Sequence, residues 1–174
     1  MEGNAVQVTV RDVTGLALVH AAMARCGATT RHAPLALYRA RHSVIYARLF
    51  WVNIEGVTER VHTHLIRSRV GVSWWVESQR PDRGGAPGLR NMSALINAEA
   101  LIVLAQKRLC QRAWPETRDA VLAVREQVAR LDTDLVAVMH PRCVWERGCR
   151  ELRPCGWYER QVLDDDGWPV GATL

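Results

Sequence analysis

The chain has 174 residues, 48% hydrophobic and 24% charged, which is typical of one globular domain and excludes a disordered chain. No run approaches the roughly 20 apolar residues of a membrane helix, and the amino terminus lacks signal-peptide features, so we expect a cytoplasmic protein without a membrane partner. The net charge of +5 comes with 22 arginines and one lysine, which favours acidic ligands.

The hydrophobic pattern predicts an α/β (α+β) domain. Strands are expected where apolar residues alternate or where β-branched and aromatic residues concentrate, and helices where the apolar period is near 3.6. Ser43 is a candidate helix cap, and Pro115 suits the first turn of a helix. The predicted strands are 6–10, 49–54 and 70–77, the predicted helices are 16–26, one starting near Ser43, 57–67, 93–112 and one from Pro115, and the predicted loops are 28–36 and 81–88.

Residues 57–80 contain the densest group of anion-binding side chains. Arg67 and Arg69 follow the predicted helix, and Ser78 and Arg80 follow the next strand. Guanidinium groups bind phosphate through paired hydrogen bonds, so these residues predict a site for a phosphorylated ligand. The alternative is that they are separate, solvated surface arginines.

The predicted helix 93–112 carries polar residues on a mostly apolar sequence. Asn97 and Arg108 are eleven positions apart, close to three helical turns, so both can point into one site. Glu99 lies on the same segment. Capping or exposure to solvent is the alternative for each of them.

Several familiar chemistries lack their motifs. Ser78 has no Gly-x-Ser-x-Gly context, and neither a Gly-x-Gly-x-x-Gly sequence nor a P-loop occurs. His140, Cys143, Cys149 and Cys155 contain no Cys-x-x-Cys pair, so we predict no metal site. The odd count of five cysteines predicts free thiols. Without a basic tract or stacking aromatics, we expect no nucleic-acid partner, although the positive charge keeps nucleic-acid binding as a third hypothesis.

The order of several segments resembles the flavin-dependent thymidylate synthases (ThyX). The resemblance covers about residues 12–156 and rests on His42-Ser43-Val44-Ile45, Phe50 to Val57, His62 to Arg69, Ser78-Gln79-Arg80, Asn97 to Ala113, Glu116-Thr117-Arg118, Pro141-Arg142-Cys143 and Pro154-Cys155-Gly156. It implies a single ThyX-like domain over 1–174, with a small antiparallel sheet flanked by helices and a cysteine-containing tail over about 140–174.

The same resemblance implies an activity and its residues. FAD would be the cofactor, methylenetetrahydrofolate and NADPH the co-substrates, a pyrimidine nucleotide the substrate, and a homotetramer the assembly. Arg108 would orient and polarise the uracil ring, and Ser78 is the other candidate catalytic residue. The implied FAD-binding residues are Arg67, Ser68, Arg69 and Asn97, and the implied substrate-binding residues are His64, Ser78, Gln79, Arg80 and Arg108.

The chain departs from the family pattern in ways that suggest a branch of it. Ser68 replaces the central histidine of the Arg-His-Arg signature, eight residues instead of seven precede Ser78, and Tyr46-Ala47 replaces a Glu-His pair. These departures resemble the branch that methylates C5 of UMP in polyoxin-type nucleoside antibiotic biosynthesis, so we expect UMP to be favoured over dUMP. An ordinary dUMP thymidylate synthase and a non-catalytic nucleotide-binding paralogue are the alternatives.

Overall fold

A computed structural model describes residues 6–28, 32–83 and 88–170. Its centre is a four-stranded sheet in the order β1-β2-β4-β3, in which every neighbouring pair is antiparallel. The strands are β1 (Gln7–Asp12), β2 (Leu49–Val57), β3 (Val72–Val76) and β4 (Arg90–Asn97). The antiparallel sheet that we predicted is confirmed.

The α-helices of the described residues flank this sheet. They are α1 (Gly15–Arg25), α2 (Pro34–Arg39), α3 (Glu59–Ile66), α4 (Ala98–Arg108), α5 (Pro115–Ala129), α6 (Thr133–Val136) and α7 (Arg142–Trp145). Short 3₁₀ helices cover Ser43–Ala47, Pro81–Arg83 and Tyr158–Arg160. No helix among the described residues is both long and apolar enough to span a membrane.

One face of the sheet is buried and the other is partly open. Phe50, Val52 and Ile54 alternate along β2 and are almost fully buried, as the period of a strand requires. Helix α5 packs on β1 and β2 and also contacts α3 and α4. On the opposite face, Trp51 and Trp75 pack with ring centroids 5.3 Å apart.

The predicted helix 93–112 is wrong in its first part. Met92, Ala94 and Ile96 are buried at every second position of β4, which pairs with β2 on one side and β3 on the other. Helix α4 starts only at Ala98, and the Asn97 side chain caps it by accepting a 2.8 Å hydrogen bond from Ala100 N–H. A strand therefore runs directly into a helix, without the turn that usually signals such a boundary.

Three smaller predictions also need correction. The predicted loop 28–36 ends early, because α2 begins at Pro34. Ser43 is not the cap of its helix; the ring of His42 accepts a 3.3 Å bond from Val44 N–H instead. Strand β2 continues past the predicted end at residue 54 to Val57, with an irregular register between Ile54 and Val57. The predicted loop 81–88 falls partly on residues 84–87, which lie outside the described residues.

A buried arginine joins distant parts of the fold. Arg48 is 2% exposed, forms ion pairs with Asp12 and Asp132, and lies over the Phe50 ring at 4.4 Å. Tyr38 donates a 2.7 Å hydrogen bond to the same Asp132 carboxylate. Two carboxylates and an aromatic face thus compensate the buried charge, as such a charge requires.

Candidate functional site

Helices α3 and α4 bring cationic side chains together, and α5 packs against both helices. Arg60 and His64 lie on α3, Arg67 follows its last turn as the C-cap, and Arg108 is the last residue of α4. The charges act on one another: burial and Arg67 lower the pKa of Arg108. Besides burial, Arg108, Arg67 and Arg60 each lower the pKa of His64, so the three arginines lie around that ring.

His64 is held in place by two neighbouring elements. Its Nδ1 lies 2.9 Å from the hydroxyl of Thr117, a fully buried residue of α5, and its carbonyl oxygen accepts a 2.6 Å hydrogen bond from Arg108 Nη2. Burial lowers the pKa of His64, and Arg108, Arg67 and Arg60 lower it further. The ring is therefore neutral at physiological pH, where it can exchange hydrogen bonds without adding charge.

Within the described part of the chain, these guanidinium groups lack acidic partners. Among residues 6–28, 32–83 and 88–170, no carboxylate forms an ion pair with Arg60, Arg67, Arg69 or Arg108. Within those same residues, the buried Nε of Arg108 has no hydrogen-bond partner at all. Because unpaired buried donors are costly, the cluster is suited to an anionic or carbonyl-rich ligand.

The segment between α3 and β3 approaches Asn97 closely. Asn97 N–H donates a 3.0 Å bond to the Gly71 carbonyl, and a Cβ placed on Gly71 would lie 2.6 Å from Asn97 Nδ2. The Ser68 carbonyl accepts a 2.8 Å bond from Trp74 Nε1. The structure thus brings the predicted residues Arg67 to Arg69 and Asn97 to one end of β3.

Ser78, Gln79 and Arg80 lie beyond the other end of β3. Ser78 Oγ accepts a 3.2 Å bond from Arg80 N–H, and Gln79 Nε2 donates to the Gly88 carbonyl at 3.3 Å. The Arg80 guanidinium holds the exposed Asp82 carboxylate in a paired contact of 3.0 and 2.8 Å. Ser78 and Gln79 are half-buried, whereas the Arg80 side chain is exposed and its guanidinium can exchange Asp82 for an incoming phosphate.

The structure does not bring all the predicted site residues together within the chain. Val72 and Val76, the ends of β3, are about 13 Å apart at the usual rise of a strand. His64 and Arg108 cluster with Arg67 near the first end, while Ser78 and Arg80 follow the second. The predicted site residues therefore form two groups, one at each end of β3.

Sequence reasoning missed two features of this region. The sequence indicated Thr117 only as part of a segment shared with ThyX, yet its hydroxyl fixes the His64 ring through a hydrogen bond. The sequence could have indicated this role, because Thr117 is a polar residue on the buried face of α5, four positions before Val121. Glu99 does not face the cluster, because it forms an ion pair with Arg41.

Four of the five cysteines form a separate group. Cys110, Cys143, Cys149 and Cys155 line one cavity, whereas Cys26 is exposed after α1. Burial raises the pKa of Cys143 to about 12, and the other three thiols of the cavity add to that rise. His140 belongs elsewhere: it is buried against Trp168, with ring centroids 5.9 Å apart.

No protein-family model matches the sequence, and no curated protein matches it either. Solved structures do match. The thymidylate synthase ThyX from Helicobacter pylori, solved with FAD and dUMP, superposes with a TM-score of 0.63 and 13% identity over 77% of this chain and 99% of that chain. A second structure of that protein with the same ligands gives 0.57 and 15% identity over 70% and 92%. This chain has the ThyX fold.

The UMP/dUMP methylase PolB from Streptomyces cacaoi, bound with 5-Br UMP, has the same fold. It gives a TM-score of 0.57 and 14% identity over 75% of this chain and 92% of that chain. At the level of the fold, these comparisons confirm the resemblance to ThyX found in the sequence. They also agree with the sheet of four antiparallel strands flanked by helices.

Proposed function

We propose that this chain is an FAD-dependent enzyme that methylates C5 of a uridylate. UMP is favoured over dUMP, methylenetetrahydrofolate donates the carbon, and NADPH is the reductant. The observation that carries the proposal is the cluster of Arg60, Arg67 and Arg108 around a neutral His64, without acidic partners among the described residues, on a ThyX fold. Proteins of this fold have been solved with FAD and dUMP, and one is a UMP/dUMP methylase.

The end of β3 next to α3 fits an anionic cofactor such as FAD. Arg67 and Arg69 are exposed there, and neither forms an ion pair with a described carboxylate. Ser68 lies between them, and Asn97 is held beside this segment by its bond to Gly71. When bound and reduced, the flavin would supply the hydride; these four residues would bind and orient it.

Arg108 and His64 fit the uracil ring of the nucleotide. The Arg108 guanidinium is fixed by the His64 carbonyl and retains a buried Nε without a partner among residues 6–28, 32–83 and 88–170. A fixed guanidinium can hold the uracil ring in position and polarise it for bond formation at C5. The hydrogen bond with Thr117 orients His64 toward the same ligand as a neutral group.

Ser78, Gln79 and Arg80 fit the nucleotide phosphate. Ser78 supplies a hydroxyl, and Arg80 supplies a guanidinium that exchanges Asp82 for phosphate. Because β3 separates them from Arg108, we infer that each active site combines residues of at least two protomers. The proposed homotetramer provides such shared sites.

The first test measures flavin binding and turnover of the nucleotide. The purified chain should show flavin absorbance, or bind added FAD, and should release tritium from UMP labelled at C5. Arg108→Ala should abolish release, whereas Arg130→Ala, an exposed arginine at the far end of α5, should leave it unchanged. Nucleotide binding without tritium release would instead support a non-catalytic paralogue, and absence of flavin binding would end the proposal.

The second test asks whether sites are shared. Arg108→Ala and Arg80→Ala chains are each expected to be inactive, since each lacks one half of the nucleotide site. Co-refolding them in equal amounts should restore about a quarter of wild-type activity, the fraction of sites that receive both intact halves by chance. If the mixture stays inactive while each variant still binds FAD, the shared-site arrangement is wrong but the flavin assignment stands.

A further inference from the structure

A cavity of about 190 Å³ between α4, α7 and the carboxyl-terminal tail has four cysteines in its wall. Cys110 lies two residues after α4, Cys143 lies in α7, and Cys149 and Cys155 lie in the irregular segment that follows. The proposed activity uses none of these thiols. Three separate pieces of chain therefore converge on a site with no assigned role.

The spacing of the tail cysteines in the sequence does not indicate this group of four thiols. The motif considered from the sequence was His140 with Cys143, Cys149 and Cys155, and it lacks the close pair typical of zinc sites. In the fold, His140 turns away toward Trp168, and Cys110 from the end of α4 takes the fourth place. The structure thus places four thiols around one cavity, and four cysteines are one of the ligand sets of structural zinc sites.

The tail has little else to hold it. Between residues 140 and 170, its regular structure is the four-residue α7, the 3₁₀ turn Tyr158–Arg160 and one isolated bridge between Leu163 and Pro169. Its own core consists of the buried residues Val144, Trp157 and Tyr158. Small units with so few core residues are commonly fastened by a disulfide or a metal ion.

We propose that Cys110, Cys143, Cys149 and Cys155 together bind one zinc ion, which fastens the tail to the end of α4. Zinc bound by four thiolates carries net negative charge, and Lys107 in the wall of the same cavity can offset part of it. Arg142 and Arg150 also line the cavity, but both pair with Glu146. Binding releases the thiol protons to solvent and changes no oxidation state. This leaves Cys26 as the one thiol outside the site.

Binding must draw the thiols inward. Among the described residues, no three His, Cys, Asp or Glu side chains are arranged to hold a metal ion. With Zn–S bonds near 2.3 Å, tetrahedral sulfurs lie about 3.8 Å apart, so the side chains must rotate into the cavity. The irregular backbone around Cys149 and Cys155 can follow that rotation more easily than helices could.

Metal analysis of the full-length chain is the direct test, and it needs neither flavin nor nucleotide. Protein purified without chelator should contain one zinc per chain by mass spectrometry. After the zinc is removed, titration with Co²⁺ should produce the intense sulfur-to-cobalt charge-transfer and visible bands of tetrahedral thiolate coordination, saturating at one equivalent.

Matched serine variants identify the ligands. Cys143→Ser and Cys149→Ser should each weaken Co²⁺ binding at least tenfold, while Cys26→Ser should bind as the wild type does. If the variants fail to fold, the titration of the wild-type chain still decides the proposal. Zinc-free protein that gives no cobalt bands, or that contains a disulfide among these cysteines when purified without reductant, would overturn it.

Discussion

Substituting Gly71 by alanine should test the link between the flavin-binding segment and Asn97. A Cβ at this position would lie 2.6 Å from Asn97 Nδ2 and 2.7 Å from Oδ1. The Asn97 side chain cannot simply swing aside, since it is buried and caps α4 through Ala100 N–H. The backbone at Gly71 also has φ of +74°, which disfavours any residue with a Cβ.

The expected cost has two parts. A positive φ costs about 1 kcal/mol for alanine, and loss of the Asn97 cap adds about 1 kcal/mol or somewhat more. Gly71→Ala should therefore lower the free energy of unfolding by roughly 2 to 3 kcal/mol. Gly56→Ala is the matched control: its φ is +75°, but its Cβ would approach Leu89 only to 4.0 Å, so it should cost about 1 kcal/mol.

Urea denaturation of both variants measures these free energies, and FAD titration measures the effect on the site. Gly71→Ala should also weaken FAD binding, while Gly56→Ala should not. In the Gly71→Ala background, a further Asn97→Ala change should cost almost nothing, because the cap is already lost. Equal losses of stability in Gly71→Ala and Gly56→Ala would refute the close contact with Asn97.

Three more outcomes are expected. Burial and Arg125 lower the pKa of His140 from 6.5 to about 4. The free energy of unfolding should therefore fall by on the order of 3 kcal/mol as the pH drops from 6.5 toward 4. In urea titrations at several pH values, His140→Gln should remove this pH dependence, and a pH dependence that persists would exclude His140 as its source. Arg48→Met leaves two carboxylates unpaired and should lower the free energy of unfolding, measured by urea denaturation, by about 3 to 5 kcal/mol. A loss below about 1 kcal/mol would argue against a compensated buried charge at Arg48. Asp82→Asn frees Arg80 from an exposed pair and should tighten UMP binding in calorimetry by up to about fivefold, whereas weaker binding would contradict the assigned phosphate site.

Much of the fold was predictable because local pattern and tertiary packing agree. Strand 6–10, helix 16–26 and the helix starting at Pro115 all match elements of the structure to within a few residues. In these segments the apolar period and the terminating residues indicate the same element. The β4 to α4 boundary failed because residues such as Ala94 and Leu95 favour a helix intrinsically, and only pairing with β2 and β3 makes them a strand.

The candidate site was predictable in part, for a related reason. Spacing along α3 was enough to place Arg60, His64 and Arg67 near one another, because one helix fixes their separation. It could not place Arg108 or Thr117 against them, since those contacts depend on how α4 and α5 pack. Spacing in the sequence also could not show that the length of the extended strand β3 separates Arg67 from Ser78.

The ion pairs of Arg48 are complete only when distant parts of the chain have folded together. Its partners Asp12 and Asp132 lie 36 and 84 residues away in the sequence, one in the first strand and the other just before α6. A partly folded chain that lacks either end would leave a buried guanidinium with half of its compensation, at a cost of several kcal/mol. Such partial states are therefore sparsely populated, and the amino-terminal strand and the α5–α6 region should fold and unfold together as one cooperative unit.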